Sequence, residues 1–185
     1  MEGIGTVPVF SPNSKHIVYI ARQDNKQVLV FDQKSGTKYD GIGGNSVIFS
    51  PDGERIAYAV KKGNKWQIVL DGNADREYDQ VGGLIFSPDS KQMAHVASNE
   101  GKFTIVVDGS EKGQYDGIIN APVFSSDSRH MAFFAEEGNK CFMVADEKEG
   151  TRFEKLICAI IAPEDGGFVA TALKDKAFYK ITWKP

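Results

Sequence analysis

An aromatic-Ser-Pro anchor recurs along this chain at a nearly fixed interval. Phe10, Phe49 and Phe86 each precede Ser-Pro, Phe124 precedes Ser-Ser, and Ile161-Ala162-Pro163-Glu164-Asp165-Gly166 is a divergent fifth copy. Successive copies lie 39, 37, 38 and 37 residues apart. Five copies in phase restrict the chain to a repeat array, in which each unit buries its faces against its neighbours.

The clearest copy shows what one unit contains. An apolar run, residues 46–49, stops at Ser50-Pro51-Asp52-Gly53. Proline presets φ, the Asp carboxylate bonds nearby N–H groups and Gly accepts positive φ, so this is a tight turn. A second β-rich run, residues 55–60, follows at once. First segments recur at 7–10, 46–49, 83–86, 121–124 and 159–161, and second segments at 16–21, 55–60, 92–97, 130–135 and 168–173. Third segments occupy 27–31, 66–70, 103–107, 141–145 and 177–181, and short polar fourth segments 37–40, 76–79, 113–116 and 151–154. Runs of this length, rich in β-branched and aromatic residues between turns, are strands, and no sustained helical period interrupts them.

The distribution of apolar residues predicts how the units pack. Trp66, Ile68 and Leu70 share one face of a third strand while Gln67, Val69 and Asp71 share the other. Both faces are partly apolar, as in a sheet held between two neighbours. The first strands are apolar almost throughout, which predicts the most buried position, and the polar fourth strands suit a charged outer edge. Four-stranded meanders repeating about every 38 residues stack radially into a β-propeller. The expected fold class is all-β: about five blades of mostly four-stranded antiparallel sheets in a single domain spanning 1–185, with repeats at 3–41, 42–80, 81–117, 118–155 and 156–185.

The Phe-Ser-Pro-Asp-Gly pattern, followed by a strand such as Arg55-Ile56-Ala57-Tyr58, resembles the WD40-like propeller repeat of the TolB type. Similar repeats build the propeller domains of prolyl-oligopeptidase relatives. The resemblance implies an architecture and a range of roles, from binding platform to enzyme gate. Ring closure is open at this point. Glu2-Gly3-Ile4-Gly5 aligns with Asp40-Gly41-Ile42-Gly43, so the N-terminal segment is expected to complete the fifth blade and close a monomeric ring. The alternative is an open arc excised from a longer propeller, whose bare blade faces would favour an oligomer.

Composition excludes several classes of function. The net charge of −3 argues against a nucleic-acid partner or an anionic membrane surface. No apolar run reaches the roughly 18 residues of a membrane-spanning helix, and the N-terminus lacks the basic and apolar segments of a signal peptide. A cytoplasmic location is therefore expected for the sequence as written, with a secreted or periplasmic parent the alternative for a fragment. Cys141 and Cys158 suggest neither a disulfide framework nor a metal knuckle and read as small apolar fillers; no cofactor is expected.

Three sets of residues invite a chemical reading. The turn acids Asp52, Asp89, Asp127 and Asp165, with Asn13 in the first unit, are expected to cap their own turns. His95 aligns with Tyr19, Tyr58 and Phe133 and reads as packing, while His16 and His130 fall at strand starts. The third set lies at the other end of the blades. Lys26, Lys65, Lys102, Lys140 and Lys176 recur in the turn between second and third strands, and the fourth strands end in Asp40, Asp79, Asp116 and Glu154. Loops entering the first strands bring Gly43, Asn45 and Asn120 to the same face. Asp40, Gly43, Asn45, Lys65, Asp79, Lys102, Asp116, Asn120 and Lys140 are therefore the candidate contact residues. The expected function is a non-catalytic module binding a protein, peptide or carbohydrate at the channel mouth. Alternatives are a carbohydrate-active enzyme using the mouth acids, and a propeller accessory to a peptidase-type catalytic domain.

Overall fold

The computed structural model describes residues 3–4 and 7–185. These contain five antiparallel sheets in chain order and no helix, and each sheet is one blade of a β-propeller. Blade 3 is the most regular, with strands Gln80–Phe86, Met93–Asn99, Lys102–Val107 and Ser110–Tyr115. In blade 2 the first strand is split into Gly41–Ile42 and Ile48–Phe49, followed by Ile56–Lys62, Lys65–Leu70 and Asn73–Ala74. Blade 1 (Gly3–Ile4 with Val9–Phe10, Ile17–Gln23, Lys26–Phe31, Lys34–Tyr39) has the same split. So has blade 4 (Gly117–Ile118 with Val123–Phe124, Met131–Glu137, Lys140–Ala145, Lys148–Glu149). Blade 5 has three strands, Lys155–Ile161, Phe168–Lys174 and Ala177–Trp183.

The expected ring closure is not what the strand pairing shows. Gly3 and Ile4 pair with Arg22 and Ala21 in blade 1, as Gly41 and Ile42 pair with Lys61 and Val60 in blade 2. The Gly-Ile dipeptide opens a blade instead of finishing the preceding one; residues 1, 2 and 5 of that segment lie outside the described residues. Among the described residues, no strand pairing and no core cluster joins blade 1 to blade 5.

Burial also departs from the expectation that first strands lie deepest. Ile56 to Val60 in the second strand of blade 2 are all buried, whereas Val9 and Phe10 in the first strand of blade 1 are exposed. A second strand has hydrogen-bonded neighbours on both edges, while a first strand forms the sheet's inner edge. Cys141 is buried as expected of a filler, but Cys158, on such an edge strand, is exposed.

The anchor turns of blades 1 to 4 are each closed around a buried serine, where blade 5 has Ala162. The Ser50 hydroxyl donates to Asp52 Oδ1 at 2.5 Å and accepts the Arg55 N–H at 2.9 Å, while Asp52 Oδ1 also accepts the Glu54 N–H at 3.0 Å. Ser11, Ser87 and Ser125 repeat this with Asn13, Asp89 and Asp127. Gly53 lies at φ 77°, and a Cβ there would fall 2.6 Å from Asn13 of blade 1. Ser90 and Ser128 hold the same left-handed position, and their hydroxyls accept the Asp52 and Asp89 N–H of the preceding blade, each at 3.0 Å. The anchor thus shapes a hairpin and ties it to its neighbour.

A second acid, not among the candidate residues, closes the far side of the hairpin in blades 1 to 4. Asp32, Asp71, Asp108 and Asp146 end the third strands at φ 45° to 50°, and their carboxylates accept the N–H of Ile17, Ile56, Met93 and Met131. Between blades the packing is apolar. Val18, Ile20 and Leu29 meet Tyr58, Val60 and Val69; Phe134 and Met143 meet Phe168 and Ala170. Each such side chain removed from water contributes roughly 1.5–3 kcal/mol, so these layers supply most of the stability. Replacing Ser87 by Ala would leave the Gln92 N–H and the Asp89 carboxylate short of a buried partner. A loss of about 1–3 kcal/mol is expected, read as a lower urea midpoint with an unchanged m-value.

Candidate functional site

The lysines and acids at the turn end of the blades form one repeated connector. Lys26 pairs with Asp40 at 2.7 Å, Lys65 with Asp79 at 2.7 Å and Lys102 with Asp116 at 2.6 Å. The second oxygen of each acid reaches the following blade, accepting the N–H of Gly63 (2.7 Å), Glu100 (2.8 Å) and Gly138 (2.8 Å). The N–H of each acid in turn donates to a carbonyl of that next blade. The Asp40 and Asp116 carboxyls are held below the usual range, first by those backbone N–H groups and then by their lysines; for Asp79 the lysine comes first. A glycosidase acid needs the opposite shift, toward protonation. These acids act as connectors, one per junction.

The connector weakens toward blade 5. Glu154 accepts the Asp175 N–H at 3.4 Å, and Lys140 has no ion-pair partner among the described residues. Lys176 is a turn residue at φ 62°; the position equivalent to Lys140 is Ala177, which pairs with Lys174 as Lys140 pairs with Glu137.

The remaining candidates lie on the inner edges. Residues 43–47 bulge between the two pieces of blade 2's first strand. Ser46 closes the bulge: its hydroxyl donates to the Gly43 carbonyl at 2.7 Å and accepts the Ala59 N–H at 3.0 Å. Gly43 and Asn45 are thus brought together, and Asn120 occupies the equivalent break in blade 4. Gly44 and Asn45 border two open hollows. One, of about 440 Å³, is walled by Ala59, Trp66 and residues 81–84 of blade 3. The other, of about 260 Å³, is walled by Val9, Tyr19 and Leu29 of blade 1. The bulge presents glycine backbone and one amide between two mainly aliphatic walls.

Exposed apolar residues concentrate on these same edges. Val7, Val9, Phe10, Ile119, Ile157 and Ile161 belong to first strands or their flanking segments, while Phe178 and Tyr179 lie on blade 5's third strand. In the sequence Phe10 reads as an anchor and Trp66 as part of a packed face, and none of these residues stands out as surface. Apolar residues read as core unless the neighbour that fails to cover them is known.

The histidines have separate roles. His16 and His130 contact Asp32 and Asp146 at 2.6 Å, bracing their hairpins, and His130 also lies against Trp183. His95 is buried beside Tyr78, with Nε2 2.9 Å from Asp75 Oδ2. Among the described residues, no group of three or more His, Cys, Asp or Glu side chains converges as a chelating cluster.

Comparison with known proteins places the fold. TolB from Acinetobacter baumannii matches 98% of this chain over 51% of its own, with TM-score 0.53 and 14% identity. The β-propeller domain of the Trilobed protease from Pyrococcus furiosus, which has an open velcro topology, matches 97% over 66% of its own, with TM-score 0.51 and 12% identity. A prolyl endopeptidase structure matches 97% over 36% of its own, with TM-score 0.53 and 12% identity. The chain therefore spans about half of that TolB and about a third of that endopeptidase. Likeness at such identities concerns the fold. No family model matches the chain, and no curated protein matches it in sequence.

The connector has a pH signature. The carboxyls of Asp40, Asp79 and Asp116 are depressed below their ordinary 3.8. Their contribution is therefore full above the unfolded value and is lost as pH falls through the lower folded values. Converting all three to Asn should lower the urea midpoint at pH 7 and flatten its decline between about pH 5 and pH 2. An unchanged acid slope would remove these residues from the linkage.

Proposed function

We propose that this chain is a non-catalytic binding module that holds a segment of a protein partner against its inner edge, around the Gly43–Ser46 bulge. The observation behind this reading is the pair of exposed apolar side chains Val7 and Val9 at the first strand of blade 1, which line one of two hollows that flank the bulge and are walled by Tyr19, Trp66 and glycine backbone. Exposed apolar surface gathered at a concavity is what a ligand must desolvate, and it costs free energy while uncovered. The charged rim has a different part in this reading. Its acids and lysines are occupied with one another and with the next blade, leaving recognition to the bulge.

A site walled by backbone, aliphatic side chains, Trp66 and Tyr19 suits an apolar peptide segment better than a sugar, because, of the bulge's two polar side chains, Asn45 and Ser46, the Ser46 hydroxyl is engaged by Gly43 and Ala59. The geometry also offers a clean perturbation. A Cβ at Gly44 would meet no atom within 4 Å, so a bulky side chain there enters open space. Gly44→Phe is expected to keep the unfolding midpoint while weakening binding to array-selected peptides at least about tenfold, roughly 1.4 kcal/mol. Lys65→Met and Lys102→Met should leave peptide binding unchanged. Binding that survives Gly44→Phe but disappears with the rim lysines would move the contact surface to the rim.

A further inference from the structure

Blades 2 and 3 meet at one point where paired polar atoms enter a packing position. His95 opposes Val106, as Tyr19 opposes Val30, Tyr58 opposes Val69 and Phe133 opposes Val144. It is thus a histidine in an aromatic column, and it is 1% exposed. Asp75 also departs from its column, where Gly36 and Gly150 stand. Its N–H donates to Ile68 as the Gly150 N–H donates to the equivalent Met143.

The atoms that face each other are poorly matched as a hydrogen bond. His95 Nε2 lies 2.9 Å from Asp75 Oδ2, yet neither atom has an aligned hydrogen-bond partner. The other ring nitrogen, Nδ1, lies 3.3 Å from the Val96 carbonyl, which can only accept. A neutral imidazole has one N–H. With that proton on Nδ1 toward the carbonyl, the Nε2 lone pair lies beside a carboxylate oxygen without aiming at it, and the two repel unless a cation sits where both can reach it. Asp75 is meanwhile held by the Ile68 N–H at 2.7 Å on its other oxygen.

This arrangement is that of two cis ligands. Donors about 2.1 Å from one ion stand about 3.4 Å apart at the tetrahedral angle and about 3 Å apart at right angles, so the 2.9 Å spacing fits an ion whose coordination solvent expands beyond four. A backbone carbonyl behind the distal nitrogen is a usual outer partner of a metal-binding histidine, fixing the tautomer that leaves Nε2 free. The pair also borders an open hollow of about 250 Å³ whose wall includes Asn73. Asp71 and Arg55 line it too, but they neutralise each other at 2.9 Å. We infer that His95 and Asp75 bind a divalent transition-metal ion of the zinc class, with Asn73 and solvent in the hollow completing its coordination. Imidazole plus carboxylate is a donor set that suits Zn²⁺ and its neighbours over Ca²⁺ or Cu⁺.

The repeat supplies conservative controls. His95→Phe installs the residue found at Phe133, and Asp75→Gly the residue found at Gly36, so both changes are ones this architecture already accepts. Chelator-treated protein titrated with Zn²⁺ by calorimetry, and with Co²⁺ by visible absorption, should take up one equivalent. Each variant, with its circular dichroism unchanged, should lose at least the about tenfold to hundredfold that removal of even an outer partner costs. Uptake that persists in His95→Phe would place the ion at His16 or His130 and overturn the assignment. So would an absence of uptake with His95 doubly protonated by ¹⁵N NMR, because the cation between the two groups would then be a proton.

Discussion

Every sheet in this protein has two apolar faces, and that one constraint governs the rest. A lone blade would leave Tyr58 and Val60 on one side, and Ala57, Ala59 and Ile68 on the other, in contact with water. Stability therefore resides in the junctions, where facing sheets share a layer of side chains. The repeated anchor matters because it returns each chain segment to the same height and angle, so that the next layer forms in register.

Polar groups in this scheme are mostly connectors. Buried serine hydroxyls relay between a turn acid and a backbone N–H, and a second serine hydroxyl receives an N–H from the blade before. At the opposite end, Asp40, Asp79 and Asp116 each hold a lysine with one oxygen and the following blade with the other. Exposed ion pairs contribute about 0–1 kcal/mol, little beside the apolar layers. Their effect is geometric: they set how far one blade slides against the next.

Much of the architecture was legible in the sequence because it depends on local chemistry repeated in phase. The five anchors, the capping acids and the aromatic column containing His95 all follow from spacing alone. The function of the Lys–Asp rim was less legible. Its 14-residue spacing, as from Lys65 to Asp79, is visible, but the third partner, the N–H of Glu100, belongs to another blade and has no sequence signature. The Gly-Ile dipeptides misled for a related reason: two residues cannot show which sheet they join. Asp75 has no signature along its own column of equivalent positions, where Gly36 and Gly150 stand. Its meaning lies across the junction, in a second departure at His95.

The open order of the blades has a consequence for how the fold comes apart. Among the described residues, blades 2, 3 and 4 each share layers with two neighbours, while blades 1 and 5 share one. Losing an end blade thus sacrifices a single junction, and losing a middle one sacrifices two. In such a linear stack the free energy of opening is graded by position, and it is lowest at the ends. The junction of blades 4 and 5 has the longest connector contact of the row, the Asp175 N–H lying 3.4 Å from Glu154. Among these five blades, opening from blade 5 breaks one shared layer and leaves the other three intact, so protection of backbone amides is a property of each blade's place in line.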